Sequence, residues 1–128
     1  MEPSFLRLDE IIEIHHDQLE RYGGMPGIRD IGLLESAVAA PTAFFGEQYL
    51  HSDIFEMAAA YLFHIVQNHP FVDGNKRTGA VAAIVFLAMN DIELEADENK
   101  LEALVRAVAE GKMKKAEIAK FLKTNCER

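Results

Sequence analysis

The sequence predicts an all-α fold, a compact bundle of about six helices with room for one short hairpin or flap. Three observations lead there. Apolar residues recur at helical spacing along most of the chain, helix caps and Gly/Pro breaks punctuate them at intervals of one helix, and the alternation that marks strands is weak. With 128 residues and 49% hydrophobic residues, there is enough apolar material for one core and no composition shift that would divide it, so residues 1–128 read as a single domain.

The elements follow in order. Asp9 is placed to cap a first helix in which Ile11, Ile12, Leu19 and Tyr22 follow helical spacing around the His15/His16 pair, and Gly23-Gly24 stops it. GGMPGIRD reads as a loop by its Gly and Pro content. DIGLLESAVAA then offers a short helix with Leu33, Leu34, Ala37 and Val38 on one side, closed by Pro41. Residues 41–51, PTAFFGEQYLH, mix aromatics with turn formers and read as an exposed hairpin or flap; Phe44, Phe45 and Tyr49 are core or loop anchors, or else a strand edge for a partner chain. Asp53 and Glu56 form a capping box ahead of IFEMAAAYLFHIVQN, which ends near Asn68 because Pro70 disfavours helical geometry at the residue before it. A second apolar helix runs from about Asn75 to Met89, and its stretch Gly79 to Met89 has no polar side chain at all. After the extended piece IELEA, Asn99 and Glu102 frame a further capping box, Leu101, Leu104, Val105 and Val108 share a face, and Gly111 ends the helix. KKAEIAKFLKT closes the bundle with Ile118, Ala119, Phe121 and Leu122 inward.

Composition excludes several classes. The net charge of −8 repels duplex DNA or RNA, which disfavours direct nucleic-acid binding. The longest apolar run is too short to span a bilayer and MEPSFLRLDE lacks a secretion signal, so a soluble, cytoplasmic protein without membrane attachment is expected. Cys126, the single cysteine, has no disulfide partner and falls where a frayed tail is expected, which argues against a catalytic thiol. His15, His16, His51 and His64 lack metal-ligand spacing and read as surface or partly buried histidines.

The chemistry concentrates in NHPFVDGNKRTG, at the mouth of the apolar helix. Asp73-Gly74 is a turn dipeptide and Asn75 a good N-cap, so Lys76, Arg77 and Thr78 fall in the first helical turn. Cations there oppose the positive helix end, each by about 0.3 to 1 kcal/mol. They make sense around an anion, and phosphate is the natural one. Asp73 would repel a bare phosphate, but a divalent cation bridging the two converts repulsion into coordination. His69, four residues before Asp73, can take a proton from a hydroxyl attacking phosphorus, and Phe71 between them is expected to plug into the core and fix the loop.

These residues, HPFVDGNKRTG, resemble the signature of the Fic/Doc family, His-x-Phe-x-Asp/Glu-Gly-Asn-x-Arg. The preceding helical run and the GG-P-G-I-R-D segment resemble its compact Doc branch, so the resemblance spans nearly the whole chain. It implies a small helical bundle in which His69 is the general base, Asp73 holds Mg2+, Asn75, Lys76 and Arg77 bind nucleotide phosphates, and Gly74 lets the backbone approach a phosphate oxygen. Departures refine this. AMP-transferring members have Gly where this chain has Lys76 and a second Arg where it has Ala80. Lys at that position resembles the Doc branch, which implies a reversed ATP, transfer of its terminal phosphoryl to a protein hydroxyl of elongation factor Tu, and arrest of translation. Such a toxin implies a separate Phd-type antitoxin whose disordered tail folds onto it, because Ser52 to Glu56, followed by Met57, does not match the family's own inhibitory motif. Two alternatives stand beside this reading: nucleotidyl (AMP) transfer to a protein hydroxyl, and an inactive binding module that retains the fold.

Overall fold

The computed structural model describes residues 2–127 and shows six α-helices among them, with two short antiparallel strand pairs. Helix α1 (Leu8–Tyr22) and α2 (Ile31–Ala39) lead, through a 3-10 turn at Ala40–Thr42, to a hairpin of β1 (Phe44–Phe45) and β2 (Gln48–Tyr49). Helices α3 (Ile54–Asn68) and α4 (Asn75–Met89) follow, then β3 (Glu93–Leu94), α5 (Glu98–Ala109), α6 (Lys115–Thr124) and β4 (Cys126–Glu127). This is the mostly helical bundle that the periodicity predicts. No helix among the described residues is long and apolar enough to cross a membrane.

Helix α3 is the hub, with α4, α6 and α2 packed on it. Its Phe55, Tyr61, Leu62 and Ile65 are buried against Ala82, Ala83, Phe86 and Leu87 of α4 and Ile118 and Leu122 of α6. The α3/α4 crossing is tight near the start of α4. A Cβ on Gly79 would stand 2.8 Å from Val66 Cγ2 and 3.2 Å from the Leu62 carbonyl oxygen, so only glycine lets the helices approach this closely. The end of α3 and the start of α4 are thereby held together, with residues 69–74 spanning them.

Several caps differ from expectation by one or two residues. Helix α1 starts behind Arg7, not Asp9: the Arg7 amide donates to Glu10 Oε1, and Asp9 pairs with the Arg7 guanidinium at 3.1 Å. Gly74, at φ 79°, is the N-cap of α4, and Asn75 is its first helical residue. Asp97 caps α5 by accepting from the Asn99 and Lys100 amides, while Glu102 pairs with Arg106 instead of joining a box with Asn99. The Asp53 half of the α3 box forms, with Glu56 N–H donating to Asp53 Oδ1 at 2.8 Å; the Glu56 carboxylate accepts from the Ser52 amide and hydroxyl. Backbone conformation at the cap decides these cases, and several neighbouring polar residues could each serve.

Of residues 41–51, the first two belong to the 3-10 turn and 44–49 form the expected hairpin, with Phe44 opposite Tyr49 and Phe45 opposite Gln48. Phe45 is 81% exposed, while Tyr49 leans on Phe44 and Phe5 and donates to Glu2 Oε2. Cys126 is not in a frayed tail: β4 pairs it with Leu94 of β3, and its thiol donates to the Lys123 carbonyl.

Candidate active site

The site is built on the turn between α3 and α4. Pro70 ends α3, and His69 leaves the helix in the left-handed conformation at φ 51°, ψ 53°. Residues 70–72 then run against 27–29 in a short ladder: Arg29 and Asp30 amides donate to the Pro70 carbonyl, the Val72 amide donates to the Gly27 carbonyl, and Ile28 bridges Phe71. The GIRD segment therefore braces the turn from outside the cleft.

Phe71 anchors the turn. Its ring is fully buried, worth about 2 to 3 kcal/mol in apolar burial, and stacks on His15 with centroids 3.7 Å apart. Asn75 brackets its main chain, Oδ1 accepting from the Phe71 amide at 2.9 Å and Nδ2 donating to the Phe71 carbonyl at 3.0 Å. His15 Nε2–H donates to the Asp73 carbonyl at 2.8 Å, which assigns its tautomer, and burial pushes its pKa below the usual histidine value. His15 thus works as a neutral support beneath the turn, a role its sequence position 58 residues away did not suggest.

Asp73 faces outward. Its Oδ2 accepts from the Met25 amide at 3.1 Å and its Oδ1 from the Gly74 amide at 2.8 Å. These bonds, then the nearby Arg77 charge, hold its carboxyl below the ordinary aspartate pKa, so it is anionic at neutral pH. Gly24 makes room for it, since a Cβ there would stand 2.9 Å from Asp73 Oδ2.

The first turn of α4 lies beside this carboxylate. The N-cap Gly74 has no side chain to satisfy the free N–H groups of a helix start, so they stay available to a ligand. Arg77 donates one N–H to the Gly23 carbonyl at 2.8 Å and lies over the Tyr22 ring, which ties α4 to the end of α1. Lys76 is exposed and has no side-chain bond or ion pair among the described residues. Thr78, grouped with the polar cluster by sequence, is instead fully buried with its hydroxyl unpartnered among the described residues.

His69, Asp73, Gly74, Asn75, Lys76 and Arg77 all line one open cleft of about 550 Å³, with Tyr22, Gly23 and Gly24 opposite, and Phe71 sits beneath it. An imidazole, an anionic carboxylate and a cationic helix start thus share one space. Sequence reasoning missed the supporting roles of His15, Gly24 and Arg29; the segment from Gly23 to Asp30 was read as a loop and as part of the resemblance to the Doc branch, with no contact to the site assigned to it.

The chain belongs to the Fic/Doc family: the family model described as "Fic/DOC family" matches residues 5–87, from just before α1 through most of α4. Among characterised relatives it is 32% identical over 115 residues to "Protein kinase doc" of Escherichia phage P1, covering 90% of each chain. It is 41% identical over 90 residues to "Toxin Doc" of Mycolicibacterium smegmatis, covering 69% of each.

Proposed function

We propose that this chain is a Doc-like toxin of a toxin–antitoxin module that transfers the terminal phosphoryl of ATP to a protein hydroxyl. The observation that carries this reading is that His69, Asp73 and Lys76, which has no side-chain partner among the described residues, meet in one cleft at the start of α4. The names of the two relatives support it. Magnesium fits the donor set, because one fixed anionic carboxylate beside a phosphate site suits an ion that takes its other ligands from phosphate and water. Asp73 would hold it there, and when bound it supplies charge neutralisation on the phosphate oxygens.

The chain's own groups then act as follows. Lys76, the remaining Arg77 donors and the free N–H groups of α4 hold the polyphosphate and its developing charge. His69 accepts the proton of the incoming hydroxyl as its oxygen bonds to the γ-phosphorus, and the bond from that phosphorus to the β–γ bridging oxygen breaks to release ADP. By resemblance to the Doc branch, the hydroxyl is a Ser or Thr of elongation factor Tu in the cytoplasm, its modification blocks translation, and a Phd-type antitoxin chain restrains the toxin.

The test incubates the purified chain with ATP, magnesium and cell lysate and weighs the labelled protein. One phosphoryl increment that disappears with His69→Ala is the expected result. An increment the size of a nucleotide would make the chain an AMP transferase, and an unlabelled lysate would leave it a binding module.

A further inference from the structure

Arg29 does not line the cleft, yet it grips the residue that does. Its Nε donates to the His69 carbonyl at 2.6 Å and its Nη2 to the Asn68 carbonyl at 2.9 Å. These are carbonyls at the end of α3, where a helix has no N–H donors of its own left to satisfy them. Helices commonly meet that need with a glycine in the left-handed conformation, but here the left-handed residue is His69, which carries a side chain in a region that L-residues with a Cβ rarely adopt. Glycine would end the helix more easily and would remove the imidazole. The conformation must therefore be held from outside.

Arg29 holds it twice over. Its main-chain amide donates to the Pro70 carbonyl at 2.7 Å, so backbone and side chain together clasp residues 68–70. Asn68 is tied from the other side, its Nδ2 donating to the Leu33 carbonyl of α2. We propose that Arg29 is a positioning residue whose guanidinium fork fixes the backbone at His69 and thereby the direction in which the imidazole enters the cleft. The inference rests on the reading of His69 as the base. A lysine offers a point charge with no fixed fork and cannot span two carbonyls with the same geometry, so it should not substitute.

The experiment compares wild type, Arg29→Ala, Arg29→Lys and His69→Ala. It follows transfer of labelled γ-phosphoryl from magnesium-ATP to lysate protein, thermal unfolding, and the His69 imidazole Cε1–H resonance. Both Arg29 variants are expected to stay folded and keep the KM for ATP while kcat falls about 100-fold, as for a base displaced by an ångström, and the His69 resonance should move or broaden. Wild-type kcat and an unchanged His69 resonance in Arg29→Ala, with His69→Ala inactive, would overturn the clamp and leave the proposed reaction intact. Full transfer by His69→Ala would overturn the reaction instead, and the clamp would then stand if the resonance shifts in Arg29→Ala and fall if it does not.

Discussion

Lys76 stands where a helix least wants a cation. The macrodipole makes the start of α4 electropositive, Gly74 brings no capping acceptor, and Arg77 adds a second charge one residue on. Arg77 has a local use, because it caps the Gly23 carbonyl at the end of α1; Lys76 has none among the described residues. The two effects of removing it therefore have opposite signs. Lys76→Met keeps helix propensity and deletes the charge, so unfolding should show a gain of about 0.3 to 1 kcal/mol. Phosphoryl transfer should fall about 10- to 100-fold, the worth of a charge-assisted contact to phosphate. Loss of activity together with a gain in stability is the signature of a residue kept for its ligand. A variant that transfers phosphoryl at the wild-type rate would remove Lys76 from the phosphate site.

At the scale of elements, α6 is fastened to α3 by a lysine held between two imidazoles. Lys115 Nζ lies 3.2 Å from His51 Nε2 and 3.2 Å from His64 Nε2, and lies over the Phe63 ring. An ammonium only donates, so both imidazoles accept through Nε2 and are neutral. Burial first and Lys115 second push the His64 pKa down to about 4, and the same causes lower that of His51, with Glu56 opposing. A histidine whose pKa is depressed by folding binds its proton more readily in the unfolded chain, so stability is fully present above pH 6.5 and is lost as pH falls from about 6.5 toward 4. His64 is only half-buried, which screens the effect to about 1 to 2 kcal/mol. Denaturation followed from pH 7 to 4.5 should show this loss, and His64→Gln should flatten it; identical slopes in the two proteins would refute the fastening. The helices themselves were legible in sequence because most bury a periodic apolar face, and α4 an uninterrupted apolar run, large enough to outweigh local alternatives. Their caps were not, since Asp9, Asn75 and Asn99 each have a neighbour able to take the first turn, and tertiary contacts choose between them.

Over the whole molecule, the cleft's reactive groups were legible because they lie within nine consecutive residues, His69 to Arg77, where turn chemistry and charge can be weighed together. Their supports were not. His15 reaches Asp73 across 58 residues and Arg29 reaches His69 across 40, separations at which spacing carries no information. The same holds for the N-terminal segment, which straps the bundle on the face that carries the hairpin. Ser4 and Asn90 exchange hydrogen bonds, Phe5 packs on Tyr49 and Phe86, and Leu6 is buried with its amide donating to the Tyr61 hydroxyl. That hydroxyl in turn donates to the Leu6 carbonyl, and burial pushes the Tyr61 pKa up to about 12. One phenol therefore satisfies both main-chain groups of a buried residue 55 positions away. Tyr61→Phe keeps the ring in place and orphans both groups, at a cost of about 1 to 3 kcal/mol. Urea unfolding should show a lower midpoint with an unchanged slope, because the native surface is not altered. Alkaline titration of the wild type should show one tyrosine ionising well after the others and its absence in the variant. A midpoint equal to wild type would mean that the strap holds by Phe5 and Leu6 packing alone, with the Tyr61 hydroxyl replaceable by water.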